Sequence, residues 1–252
     1  MISEPFATGN SIIHQLDPRI RVLLTSVYAF VVALSYHFSV LITALVISML
    51  LIGISRINLK AVFNRIIWVN AFILLLWVLL PFTFKGDVLA SVGSFAVYRP
   101  GVVLAAQITL KSYAIVLAFI ALIATMSFAT LGHALYRLHV PEKIVHLLLM
   151  TYRYVFVIEQ EFLRLVRAAK IRGFRPGTNS NTYRTYSYVI GMLFVRAAAR
   201  AERVHQAMLC RGFKGKFYSL QDFQMSSASW IFALLMTAVI IGLILIEGSS
   251  VV

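Results

Sequence analysis

Long uncharged runs alternate with short basic interruptions along this chain, and the run lengths predict its architecture. Residues 22–54 form one mainly apolar, uncharged stretch of 33 positions. As a single straight helix it would reach about 50 Å and overshoot a hydrocarbon core of about 30 Å. Two short spans, Val22–Tyr36 and Phe38–Ile54, fit better, with the polar Tyr36-His37 at the turn; one long tilted helix is the competing account. After Arg56, Lys60 and Arg65 a third run, Ile66–Leu80, stops at Pro81. Residues 85–101, with Lys85, Gly86, Asp87, Gly93, Pro100 and Gly101, read as a loop with short extended pieces. A fourth span begins near Val102 and continues to about Phe128, and a last one covers Trp230–Ile246, with Trp230 suited to an interfacial belt.

Between the fourth and last spans the pattern becomes amphipathic. Thr130-Leu131-Gly132-His133 opens a short helix that Val140-Pro141 interrupts, and a proline at a first turn starts the next helix. Glu142 to Arg172 contains no Gly or Pro, which allows a helix of about 45 Å. Ile158, Phe162, Leu165, Val166 and Ala169 form one stripe of it; Glu161, Arg164, Ala168 and Arg172 share another face. A polar connector, Arg175–Arg184, leads to a second long helix with the stripe Ile190, Phe194, Ala197, Ala201, Val204 and Met208, and with Arg196, Arg200 and Arg203 on the other side. Alanines at 197, 198, 199 and 201, with Ala168 and Ala169, would let two backbones approach closely and cross.

The two long helices end alike. Arg164, Ala168 and Arg172-Gly173-Phe174 recur 39 positions later as Arg203, Ala207 and Arg211-Gly212-Phe213. Each copy sets two arginines and an alanine along one helix face, and the glycine closes the helix in the left-handed conformation. One Arg-Gly end alone is common capping chemistry. The duplication points instead to paired docking points for a partner that itself comes in two copies or two lobes.

Composition narrows the class. The chain of 252 residues is 60% hydrophobic and 13% charged, well away from soluble domains, so it is read as a membrane protein. A formal charge of +14 would raise nucleic acid in a soluble protein, but 15 of the 23 Lys and Arg lie in residues 129–225, against 5 of the 9 acids. That placement fits a positive-inside segment touching anionic lipid, and no nucleic acid is expected. With five spans and the N-terminus inside, Arg19 and Arg21, then Arg56, Lys60 and Arg65, then the 129–225 region all fall on the cytoplasmic side. The outer side holds Lys85, Arg99, Asp87 and Glu247. Met1 to Asn10, with Glu4 and Pro5, lack a basic segment followed by an apolar stretch, so the N-terminus is expected to be retained. A lone Cys210 forms no internal disulfide.

Candidate chemistry is sparse. Gln107 and Lys111 share a face of the fourth span, either as an intramembrane polar contact or, slightly favoured, with Lys111 snorkelling. Asp17-Pro18 reads as a hinge or cap; His14 and Asp17 lack a second histidine at ligand spacing, so no metal site is assigned. Gly212-Phe213-Lys214-Gly215-Lys216 is too short for a phosphate-binding loop and lacks its hydroxyl residue, and the six histidines form no convincing ligand set. The weak rival is an intramembrane metalloenzyme. The stronger rival is an ordinary permease subunit that binds its solute directly, with Gln107 and Lys111 as its only candidates.

The chain resembles the transmembrane T component of energy-coupling-factor (ECF) transporters, and most closely the cobalt-uptake branch, CbiQ. The resemblance rests on Leu16-Asp17-Pro18-Arg19, Pro141, Tyr152-Arg153-Tyr154, Phe194-Val195-Arg196, Arg200-Ala201-Glu202-Arg203-Val204, Ala207-Met208 and the two Arg-Gly ends, and it covers nearly the whole chain. It implies an all-α polytopic membrane protein with about five transmembrane helices. Residues 1–128 would hold the N-terminal segment and four spans, 129–225 a cytoplasmic pair of crossed coupling helices, and 226–252 the last span, with the C-terminus outside. It implies that Arg172, Gly173, Arg211 and Gly212 dock on two ABC-type ATPase subunits, supported by Arg164, Ala168, Arg203 and Ala207. The family's motif usually reads Ala-Arg-Gly, and here Ile171 and Cys210 take the alanine positions. The chain itself would be non-catalytic and bind no cofactor, ATP and Mg being held by the ATPases. A separate membrane subunit, CbiM-like and accompanied by a small CbiN-like one, would bind the substrate. Cobalt is the expected cargo, with nickel or a vitamin as alternatives, and a bacterial or archaeal plasma membrane the expected location.

Overall fold

A computed structural model of the chain describes residues 11–83, 87–92, 95–214 and 226–249. The expectations for residues 1–10 and for Lys85, Gly86, Gly93, Gly215 and Lys216 lie outside them. Contacts divide the described chain into two compact units, residues 11–138 with 226–249, and residues 139–214.

In the first unit a short 3-10 turn, Ile12–Gln15, precedes α1 (Pro18–Leu34). Asp17 caps α1, its Oδ1 accepting from the Arg19 N–H at 2.9 Å, and Pro18 supplies the preset first turn. Ser35 to His37 then separate α1 from α2 (Phe38–Ser55), so the apolar stretch from 22 to 54 is two helices and not one. Arg56 closes α2 in the left-handed conformation with φ 48°. α3 (Leu59–Thr83) starts earlier than expected, taking in Lys60 and Arg65, and runs through Pro81 instead of stopping before it. A small antiparallel hairpin follows, β1 (Val88–Val92) with β2 (Phe95–Tyr98), where short extended pieces were expected.

α4 (Arg99–Leu122) ends six residues sooner than Phe128; Ile123 to Met126 form a turn, and Ser127 caps α5 (Phe128–Arg137). The reason is local. Ser127 Oγ accepts from the Thr130 N–H, and that bond starts a new helix. α8 (Ser227–Ser249) completes the unit. Four of these helices, α2, α3, α4 and α8, are long and apolar enough to cross a membrane. At 17 residues α1 is about 26 Å long, at the lower limit for a span.

The core lies where α1 and α2 pack on α4 and α8 packs on α1 and α2. Ala44, Ala114, Ala118 and Ala121 are fully buried and let α2 and α4 approach closely, which matters in a medium that offers no hydrophobic drive between helices. Polar bonds fix the register. The Tyr28 hydroxyl donates to Ala44 O at 2.7 Å, and Ser48 Oγ, 2.9 Å from that hydroxyl, donates to Ala114 O at 2.7 Å, so α1, α2 and α4 are tied at one level. α3 is held differently. Its contacts to α4 include Trp77 Nε1 donating to Thr109 and Tyr113 donating to Asn70 Oδ1, while Trp68 is 83% exposed. At one end Gly101 of α4 sits so close to α3 that a Cβ there would lie 2.3 Å from Leu80 O.

α5 packs on α1 through Val22, Met126 and Ala134. It therefore groups with the first unit, and the boundary falls at 138/139 rather than at 129.

The second unit consists of α6 (Glu142–Ile171) and α7 (Ser180–Cys210), joined by Arg172 to Asn179. Pro141 precedes α6, and Asn179 caps α7 through a 3.0 Å bond from the Thr182 N–H. At 30 and 31 residues the helices are each about 45 Å long.

Candidate functional site

Both helices of the second unit end in the same hydrogen-bond pattern. At the first end Gly173 N–H donates to Lys170 O at 3.0 Å and Phe174 N–H to Ala169 O at 3.1 Å. At the second, Gly212 N–H donates to Leu209 O at 2.9 Å and Phe213 N–H to Met208 O at 3.0 Å. These are Schellman closures, and they require a left-handed residue after the cap. Gly173 and Gly212 supply it with φ of 85° and 80°. Neither glycine has an atom within 4 Å of where a Cβ would stand, so backbone conformation, not space within this chain, demands glycine there.

Each end walls a groove, and the walls correspond one to one. The first groove is lined by Leu165, Ala168, Ala169, Arg172, Gly173 and Phe174; the second by Val204, Ala207, Met208, Arg211, Gly212 and Phe213. Adding 39 to each number of the first set gives the second. The opposite walls obey the same shift, since Val189 and Met192 of α7 face the first groove and Met150 and Arg153 of α6 face the second. Residues early in each helix thus lie beside residues late in the other, so the pair is antiparallel and its two Arg-Gly ends lie apart. The grooves differ in charge: Arg153 and Lys214 join Arg211 in the second, while Asn181, Thr185, Tyr188 and the Glu161-paired Arg196 join Arg172 in the first. Arg172, Arg211 and both glycines are exposed, and among the described residues neither arginine side chain has a hydrogen bond or ion pair. The cations are available.

Between the grooves α6 and α7 cross around a cavity of about 220 Å³ walled by Tyr154, Val157, Ile158, Leu193, Ala197 and Ala201. At its rim Glu161 accepts from Arg196 across the crossing and lies 3.6 Å from Arg164 on its own helix. The Arg196 hydrogen bond, with the charges of Arg164 and Arg200 adding and desolvation opposing, holds the Glu161 carboxyl below its ordinary range. Sequence reasoning missed this link. It placed Glu161 and Arg196 on separate helix faces, and no spacing within one helix signals a pair 35 positions apart.

The other expected residues divide. Ala168 and Ala207 sit at matched exposed positions in the grooves, and Arg203 is exposed on α7. Arg164 is turned toward Glu161. Ile190 and Phe194, expected in an apolar stripe, are exposed, and Leu193 takes the crossing position instead. In the first unit Gln107 Nε2 donates to Tyr36 O at 2.7 Å, and Lys111 Nζ donates to Ala33 O at 2.9 Å while lying 4.4 Å from the Tyr36 ring. Both side chains secure the C-terminal end of α1.

Comparison with known proteins bears on this arrangement. A family model described as CbiQ, cobalt transport protein, matches residues 9–223. The chain is 25% identical over 231 residues to the energy-coupling factor transporter transmembrane protein EcfT of Bacillus subtilis, covering 85% of each chain. It is 28% identical over 222 residues to EcfT of Leuconostoc gelidum subsp. gasicomitatum, covering 83% of this chain and 82% of that one. It is also 28% identical over 130 residues to the cobalt transport protein CbiQ of Salmonella typhimurium, covering 51% of this chain and 57% of the other. The chain has four membrane-length helices and a crossed pair with doubled ends, and these matches establish its family: it belongs to the CbiQ family, the transmembrane T components of ECF transporters.

Proposed function

We propose that this chain is the coupling subunit of an ATP-driven importer, with the Arg172-Gly173 and Arg211-Gly212 ends as its docking points on two ABC-type ATPase subunits. The observation that carries this reading is the pair of grooves repeated at a 39-residue shift, each ending in an arginine with no side-chain partner among the described residues. A partner with two-fold related clefts is the natural complement of such a surface. Each cleft would present carboxylates or carbonyls to the guanidinium, since charge-assisted bonds to arginine are short, directional and strong.

The mechanism is mechanical. ATP and Mg are bound by the ATPases, and their closure displaces the two docked ends relative to each other. α6 and α7 carry that displacement as stiff helices toward the membrane-spanning unit, which grips a separate substrate-binding membrane subunit. In this reading the N-terminus and the α6–α7 unit are cytoplasmic, the C-terminus lies outside, and α1 is a fifth span in a bacterial or archaeal plasma membrane. The chain performs no chemistry. Gln107 and Lys111, engaged with carbonyls of α1 and the turn after it, support this reading over that of a permease binding solute itself. Cobalt is the cargo we assign, on the description of the matched family and the name of the Salmonella relative.

The test replaces Arg172 and Arg211 together with alanine. ATPase capture and uptake of radiolabelled cobalt should both fall to background while the protein stays membrane-inserted. Unchanged capture and uptake would refute the docking role.

A further inference from the structure

The chain leaves the first unit after α4 and α5 and returns to it at α8, and both passages are held by the start of α1. Arg21 is 1% exposed, a cation withdrawn from solvent that no groove or docking end uses. Its Nε donates to Leu122 O at 2.9 Å, and its Nη2 donates to Leu122 O and to Thr125 Oγ1. These acceptors are the last carbonyl of α4 and the turn beyond it, where the negative end of the helix dipole and the unsatisfied carbonyls favour a cation. One turn earlier, the Asp17 N–H donates to Ser229 Oγ at 3.0 Å; Ser229 lies in the first turn of α8 and is 1% exposed. Val22 adds the apolar contact to Met126 and Ala134 that seats α5.

Resting on the coupling reading above, we propose that the Asp17–Arg21 turn is a clasp that fixes the exit and re-entry points of the coupling unit, and that Arg21, Thr125 and Ser229 are positioning residues for energy coupling. The physical argument is one of compliance. A displacement delivered to the end of a helix does work on the membrane unit only if that end cannot slip against its neighbours. A buried arginine bonded to two acceptors resists slipping, because any sliding leaves a charged guanidinium without acceptors away from water. The same short segment holds both ends, so the two passages move together.

The experiment uses the complete transporter reconstituted in liposomes with its ATPase and substrate-binding subunits. The double variant Thr125→Val with Ser229→Ala removes two side-chain partners and buries no new charge. Arg21→Lys keeps the charge but replaces the planar guanidinium, with its Nε and Nη2 donors, by a single ammonium nitrogen. Spin labels at Ala129 and Ala228, both exposed, are read in a Cys210→Ser background. The expected result is a broadened distance distribution between the labels, unchanged capture of the ATPases, and cobalt taken up per ATP hydrolysed reduced at least about threefold. A purely structural role predicts instead that ATPase rate and uptake fall in parallel with the amount of folded complex, leaving the ratio unchanged; that result overturns the proposal. An unchanged label distribution overturns the clasp itself. Absence of ATPase capture by the unsubstituted chain would sink the coupling reading, and the label distances would still decide whether the clasp exists.

Discussion

Glycine at the two helix ends admits two explanations, and substitution separates them. Gly212 has φ 80° and nothing within 4 Å of a prospective Cβ, so alanine there meets no clash and feels only the left-handed backbone. That conformation costs an L-residue about 1–2 kcal/mol. If docking needs the closed end, the competent fraction and the apparent affinity for the ATPases should fall by up to about 5- to 30-fold. Asparagine tolerates the left-handed region better and should lose less than alanine, under about 1 kcal/mol. Gly173, with φ 85° and equally open surroundings, should rank the substitutions in the same order. Amide hydrogen exchange at residues 211–213 reports opening of the end, and titrated capture of the ATPases reports affinity. If asparagine weakens capture more than alanine, the open space at Gly212 belongs to the partner, and the backbone argument is refuted. Faster exchange with unchanged capture would refute the need for a formed end.

Four further outcomes follow from contacts elsewhere. Gly101→Ala sets a Cβ 2.3 Å from Leu80 O and 2.8 Å from Pro81 Cα, backbone atoms that cannot swing aside, and should cost about 1–3 kcal/mol or more in detergent unfolding. Tyr28→Phe removes the bond to Ala44 O and the Ser48 contact, for a loss of about 1–2 kcal/mol in the same assay. The Glu161 carboxyl is held below its ordinary value of 4.5, so its contribution is present above that pH and disappears as pH falls through the lower folded value. Spin-label distances across the α6–α7 crossing should therefore be constant between about pH 6 and 8 and spread in stronger acid, and Glu161→Gln should reproduce the acid result at neutral pH. Lys111→Met should lower thermal stability while leaving uptake per folded transporter unchanged; a raised cobalt KM would restore the solute-binding reading.

The sequence made the helices of this protein readable because their causes are local. Apolar run length marked α2, α4 and α8, the lack of Gly and Pro marked α6, and the doubled Arg-Gly-Phe marked both closures. Three boundaries moved for equally local reasons: Lys60 and Arg65 entered α3, Pro81 was absorbed near the end of that helix, and Ser127 started α5 where a longer span was expected. What escaped was pairing between elements. Arg21 looked like one more inside charge, yet its partner lies 101 positions away. Gln107 and Lys111 looked like an intramembrane polar contact or, slightly favoured, a snorkelling lysine, yet they are donors to backbone around a turn some 70 positions earlier. Periodicity reveals which face of a helix is apolar, but not which neighbour that face meets.

The shift that relates the grooves also relates the residues at the pivot, and there the likeness fails. Glu161 corresponds to Arg200 and Val157 to Arg196, so the carboxylate that takes Arg196 has an arginine as its counterpart. One side of the crossing is fastened by charge and the other is not. Two matched ends thus flank an uneven crossing, and in the coupling reading a symmetric pull on both will meet more resistance on one side than on the other.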